Sequence, residues 1–175
     1  NWTATEIEAM TTYANNEDSF TDCKISGDGN TIVFTRAFAD IPATSYTNSG
    51  NFRVYTYNGS SWSLKGSTFW PDTTRGGNYW GRYKGWVSLN YDGSRLAIAG
   101  ENYVNVYEWN GSNWSMLGGP GQGSRALYSR SMLPGTHSAG TKSVSLNKEG
   151  DLLCIGWSWC YYDDANGVNL SLIHI

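Results

Sequence analysis
The sequence is poor in the residues that carry most enzyme chemistry. It has two histidines in 175 residues. One falls among the last six residues. The other, His137, stands in a loop-like stretch with no Ser or Cys motif beside it, a setting that suits a solvated side chain better than a catalytic one. Three cysteines, Cys23, Cys154 and Cys160, show no zinc-ligand spacing, and neither a Gly-rich phosphate loop nor a nucleophile elbow is present. The expectation is therefore a protein with no catalytic residues, no metal and no cofactor. Charge of either sign is scarce as well: 12 basic against 15 acidic residues, net −3. No basic stripe is available to neutralise phosphates, so nucleic acid is not an expected partner. No apolar run approaches the roughly 18 residues that a membrane helix needs.

What the chain does have is a repeated strand pattern. Residues 86–119 read as four short strands separated by turns. Val87 and Leu89 alternate with polar neighbours, and Asp92-Gly93 turns the chain. Leu96 to Ala99 is an apolar run, residues 103–109 are β-branched and aromatic, Asn110-Gly111 turns again, and Trp114 opens the last strand. Asp-Gly and Asn-Gly supply the positive φ angles that tight hairpins need. The unit recurs. Asp28-Gly29 precedes Asp92-Gly93 by 64 residues, Glu149-Gly150 follows it by 57, and Asn58-Gly59-Ser60 with Trp62 precedes Asn110-Gly111-Ser112 with Trp114 by 52. Asn1-Trp2 matches the end of a still earlier copy. Repetition at this period dominates any other reading of a fold. Its register places Cys23 with Val87 and Cys154 with Ala97, as small core residues.

Ser88-Leu89, Asp92-Gly93, Leu96-Ala97-Ile98, Val104-Asn105-Val106-Tyr107 and Asn110 to Trp114 together resemble the WD40-like and FG-GAP-like (integrin-α-type) β-propeller repeats of large surface and secreted proteins. The Trp-Asp dipeptide of WD40 blades is missing. So is the Asp-x-Asp-x-Asp-Gly calcium loop of integrin-type repeats, and metal binding is not carried over. The resemblance implies an all-β chain of β-propeller blades, each a four-stranded antiparallel meander. It covers about two and a half blades, an incomplete propeller, since such folds close with roughly four to eight.

The expected organisation is the end of a preceding blade with a polar linking loop (1–21), blade one and its interblade loop (22–84), blade two and its loop (85–142), and a partial third blade (143–169) that stops after its second strand. Blade-one strands are expected at 23–26, 31–36, 51–57 and 62–65. The last six residues, 170–175, match the translation of a transposase-type sequencing adapter, and the expectation is a sequencing scar outside the fold. Alternation assigns to the core Ile25, Ile32, Phe34 and Val54 of blade one, Val87, Leu89, Leu96, Ile98, Val104 and Val106 of blade two, and Val144, Leu146, Leu153 and Ile155 of blade three. Trp62 and Trp114 are bulky enough to seal the outer edge of each blade. Open strand edges on the first and last blades predict self-association of the isolated chain.

Parity locates function. Successive turns of a meander fall on opposite ends. The Asp-Gly, Glu-Gly and Asn-Gly turns share one end, and the long, dissimilar connections share the other, where binding usually sits. The stretch 70–86 on that end carries the candidate ligand-binding residues Trp70, Arg75, Tyr79, Trp80, Arg82 and Tyr83. Aromatic faces stack on sugars and pair with cations. A second aromatic cluster, Trp157, Trp159, Tyr161 and Tyr162 with Asp163 and Asp164, lies on the same end. Asn1, Asn58, Asn110 and Asn113 head N-glycosylation sequons, a pointer to an extracellular or cell-surface setting. The reading is a non-catalytic recognition or adhesion module for a protein or carbohydrate ligand, within a larger surface or secreted protein. The alternatives are a propeller enzyme such as a glycoside hydrolase, with carboxylates drawn from Asp40, Asp72, Asp163 and Asp164, and a purely structural scaffold.

Overall fold
The computed structural model describes residues 7, 20–36, 39–40, 50–70, 86–99, 103–117, 128–129, 141–157 and 170–174. They form twelve strands: β1 Phe20–Ile25, β2 Thr31–Arg36, β3 Asn51–Tyr57, β4 Trp62–Leu64, β5 Trp86–Leu89, β6 Arg95–Ala99, β7 Tyr103–Trp109, β8 Trp114–Leu117, β9 Tyr128–Ser129, β10 Thr141–Leu146, β11 Leu152–Trp157 and β12 Leu170–His174. Among the described residues no helix occurs, and none is long and apolar enough to cross a membrane. The strands build three sheets in meander order: β1-β2-β3-β4, β5-β6-β7-β8, and β10-β11-β12. All pairings are antiparallel.

The turns form as their chemistry requires. Gly29, Gly93, Gly150, Gly59 and Gly111 adopt φ of 78°, 64°, 78°, 95° and 99°. The preceding Asp or Asn braces each of four turns: Asp28, Asp92, Asn58 and Asn110 accept backbone N–H bonds from Asn30, Ser94, Ser60 and Ser112 at 2.9 to 3.0 Å. A second brace comes from the residue that follows each first strand. Ser26, Asn90 and Asn147 use a side-chain oxygen to accept the N–H of Thr31, Arg95 and Leu152 at 2.9, 2.8 and 2.9 Å. These side chains close the hairpin from within, so the first turns of the first and second repeats are held twice.

Sheets pack face to face, with β5 lying between β1 and β10. Val33, Phe52 and Val54 of the first sheet meet Val87, Leu96, Ile98, Tyr107 and Trp114 of the second. The opposite face of the second sheet, Ala97, Ala99, Val104 and Val106, meets Leu146, Leu153 and Ile155 of the third. The middle sheet is thus buried on both faces, which is why Leu96 to Ala99 is continuously apolar and continuously buried.

Several expectations are corrected. Ile25 is 60% exposed, and Cys23, on the same strand, is exposed and free. Both lie on the face of the first sheet turned away from the second, which alternation names but cannot cover. Ile32 and Phe34 share that face and are half-buried. Leu89 and Val144 are half-buried at the margins of the two cores, and Cys154 is half-buried opposite Ser145. The turned-in residue of β2 is instead Val33, which is fully buried. β1 begins at Phe20, inside the expected linking loop. The Gly-rich link 118–142 contributes β9, which pairs with β7. Residues 170–174 do not stand outside the fold. They form β12 and pair with β11 in the place that β3 and β7 hold in their own sheets.

Candidate recognition site
Two ends of the sheets are built differently. The tight-turn end is stitched across sheets by main-chain bonds: Asp28 N–H donates to Tyr91 O at 2.8 Å, and Tyr91 N–H to Lys148 O at 3.0 Å. Side chains add two more. Lys65 Nζ donates to Gly93 O at 2.8 Å, and Arg95 Nη1 to Gly150 O at 3.0 Å, so the first and second repeats each grip the turn glycine of the next. Arg95 also pairs with Glu108 at 2.9 Å.

Lys65 sits within 5.4 Å of the Trp109 ring centre and 5.3 Å of the Trp114 ring centre. Burial pushes its ammonium below the usual lysine range, against the opposing pull of Asp92 and Asp28. Burial raises the Asp28 carboxyl, but bonds from Ser26 and Asn30 and the charge of Lys65 outweigh it and hold the group below its ordinary value. The Asp92 carboxyl is lowered first by the Ser94 hydroxyl, opposed by burial, then further by the Ser94 N–H and Asn90. Carboxylates depressed on folding contribute stability that is present above the ordinary Asp range and lost as pH falls through the folded value. The melting temperature should therefore drop as pH falls below about 4. In an Asp28→Asn/Asp92→Asn variant, less stable at neutral pH, melting followed against pH should show a shallower acid limb. An unchanged acid limb would remove these two turns from the acid response.

At the other end, the connection into the expected ligand stretch is anchored. Phe69 forms an isolated antiparallel bridge with Phe52, with bonds of 3.2 and 2.9 Å. Its ring packs on Tyr107 at 4.8 Å and Trp114 at 6.2 Å. Trp70 follows, half-buried. The stretch rejoins the fold at Trp86, which opens β5 and packs against the second core. Phe52 opens β3 and Trp86 opens β5, so both anchors lie at the end away from the tight turns. The described residues flanking 71–85 therefore lie at the end that parity assigned to recognition. Arg75, Tyr79, Trp80, Arg82 and Tyr83 lie outside the described residues, as do Asp72 and residues 158–164. Asp40 is exposed on the β2–β3 connection at the same end.

Two features there escape sequence reading. Gly50 takes φ 77° and its N–H donates to Ala39 O at 3.0 Å, closing the base of that connection. The Asn51 side chain beside it is 1% exposed, and neither its Oδ1 nor its Nδ2 has a hydrogen-bond partner among the described residues. Asn51 heads a strand of otherwise β-forming residues, and nothing in that context marks it. At the opposite end, Tyr57 with Trp62 and Trp109 with Trp114 occupy matching register positions, with ring centres 5.3 and 5.4 Å apart. Among the described residues no group of three or more His, Cys, Asp or Glu is placed to hold a metal ion.

Meander sheets stacked face to face, with neighbouring first strands and alternating tight and long connections, define a sector of a β-propeller. The chain is an all-β propeller protein; among the described residues its first sheet has four strands, its second the four-stranded meander with β9 added on β7, and its third three. It is similar to the β-propeller domain of Cps50 (Swd1) from Myceliophteria thermophila, with TM-score 0.52 and 11% identity, over 89% of this chain. It spans 40% of the length of that chain. No family model and no curated protein matches the sequence.

Proposed function
We propose that this chain is a non-catalytic propeller module that recognises a protein or carbohydrate ligand through the end carrying its long connections, within a larger surface or secreted protein. The observation that supports this reading is the anchoring of the aromatic, basic stretch 70–86 between the Phe52–Phe69 bridge and Trp86. A rigid sheet end presenting a tethered, side-chain-rich connection is the usual form of a binding site on such scaffolds. The opposite end carries the main-chain and side-chain bonds between repeats.

The test is a glycan array and a protein-interaction screen with the intact chain, repeated with Trp80→Ala/Arg82→Ala and with a Ser60→Ala/Ser112→Ala variant of the tight-turn end. The expected result is a ligand bound by the parent and the turn variant but at least about tenfold more weakly by the first variant, as for a stacking residue with a charged neighbour. Loss confined to the turn variant would move the site to the other end. Turnover of the ligand would overturn the non-catalytic reading.

A further inference from the structure
The groups that hold the Lys65 ammonium are duplicated one repeat earlier. Lys65 Nζ donates to Gly93 O, lies 5.4 and 5.3 Å from the Trp109 and Trp114 ring centres, and is within electrostatic reach of the Asp92 carboxylate. In the first repeat Tyr57 and Trp62 occupy the register of Trp109 and Trp114, with ring centres 5.3 Å apart against 5.4 Å. Asp28-Gly29 forms the same turn as Asp92-Gly93, with positive φ at both glycines. That turn also stands in the same place beside the rings. Tyr57 N–H donates to Asn30 O at 2.9 Å, as Trp109 N–H donates to Ser94 O at 2.8 Å. Two rings, a turn carbonyl and a carboxylate are therefore repeated together. Among the described residues no ammonium or guanidinium lies over the Tyr57–Trp62 pair.

The duplicate is open. Alternation puts Tyr57 and Trp62 on the face of the first sheet turned away from the second. Both are half-buried, as is Gly29, and Asp28 is exposed. On the same face Ile25 and Leu64 are 60% and 46% exposed, an apolar surface on which a methylene stem can lie. We propose that this set is a binding site for a lysine side chain of a protein partner. An ammonium over two rings gains cation–π attraction, and the Asp28 carboxylate adds opposite charge. Asp28 is also within reach of Lys65, so its charge is shared between the filled site and the open one. The turn carbonyl specifies a primary ammonium, because Gly93 O takes an N–H from Lys65 and Gly29 O holds the same position. A quaternary ammonium has no proton to donate. The copy that ends near Trp2 offers no cation of its own: Thr5 follows Trp2 by three residues, where Lys65 follows Trp62 by three. The site belongs to the tight-turn end and stands apart from the stretch 70–86.

Titration of the intact chain with Nα-acetyl-lysine amide tests this, read by nuclear magnetic resonance at the Trp62 indole N–H. Loss of that signal in Trp62→Phe assigns it. The expected result is a saturable shift. The Nε-acetyl analogue, which carries no charge, should leave the signal in place. The Nε-trimethyl analogue, which keeps the charge and lacks the donor, should bind at least about threefold more weakly. Tyr57→Ala and Asp28→Asn should each weaken lysine binding at least about threefold, while Trp80→Ala/Arg82→Ala should bind it like the parent. Circular dichroism melts confirm folding. If Tyr57→Ala melts early, Asp28→Asn decides, because that side chain is exposed and an Asn can keep the turn brace. No shift at Trp62, an equal shift with the Nε-acetyl analogue, equal affinity for the trimethyl analogue, or an Asp28→Asn variant that binds like the parent overturns the proposal. Binding lost only in Trp80→Ala/Arg82→Ala overturns it as well, by placing the lysine at the other end.

Discussion

Replacing Gly93 by Ala will destabilise the protein by about 2–4 kcal/mol, and the matching change at Gly29 by about 1 kcal/mol. Both glycines turn the chain at positive φ, 64° and 78°, so both substitutions meet the same backbone penalty. They differ in what a Cβ would touch. At Gly29 nothing lies within 4 Å. At Gly93 the new atom would run into the Thr31 side chain of the neighbouring repeat, well inside van der Waals contact. Thr31 is β-branched, 2% exposed and set in the first hairpin, so it has no rotamer to escape into. The two repeats must separate slightly, which is an overpacking cost of about 1–3 kcal/mol added to the turn penalty. Gly27 makes an informative contrast. A Cβ there meets the Tyr91 ring, but Tyr91 is 49% exposed and can swing outward, so Gly27→Ala should cost less than Gly93→Ala. Urea unfolding of the three variants reads these differences directly. Equal losses at Gly93 and Gly29 would mean that the joint between repeats is looser than the geometry requires.

Trp114→Ala should cost about 3–5 kcal/mol, the range for removing a large buried aromatic, whereas Trp62→Ala at the equivalent position should cost about 1 kcal/mol. Trp114 is 8% exposed and packs on Trp109 and Phe69. Its indole N–H donates to Lys65 O at 2.8 Å, and the Lys65 ammonium lies over its ring. One side chain thus joins the residue after β4 in the first repeat to β8 of the second. Trp62 is half-buried and stacks on Tyr57 of its own sheet. Trp114→Phe keeps most of the packing and removes the indole donor, leaving Lys65 O without it. That loss should cost about 1–2 kcal/mol. Thermal and urea unfolding of the series would rank Trp114→Ala, Trp114→Phe and Trp62→Ala in descending order. A Trp62 loss as large as that at Trp114 would contradict the burial difference.

The turns and the register were legible in the sequence because their causes are local. Asp28-Gly29, Asp92-Gly93 and Asn110-Gly111 encode positive φ and a side-chain brace within four residues, and alternation carries the register from there. Burial was legible only where a neighbouring repeat supplies the cover. Leu96 and Ile98 are fully buried as expected, while Ile25, equivalent by every local criterion to Leu89, is exposed because alternation specifies a face and not its occupant. β9 and β12 were not legible. Backbone pairing asks only for an available edge, and the Gly-rich setting of Tyr128 and the break in pattern before Leu170 hid both. The end that carries the long connections was legible as a position, through parity. Long connections lack the period that links sequence to geometry, so Phe69 and Trp86 emerge as anchors only once the bridge to Phe52 and the second core are seen.

The bonds from Asp28 N–H to Tyr91 O and from Tyr91 N–H to Lys148 O are made by atoms that every residue except proline possesses. A joint of that kind is nearly indifferent to mutation. Side chains at the turn tips can drift through generations while the spacing of the repeats holds, and duplication of a repeat brings its own connector with it. Lineages built on such a hinge are free to diverge in sequence far faster than in shape.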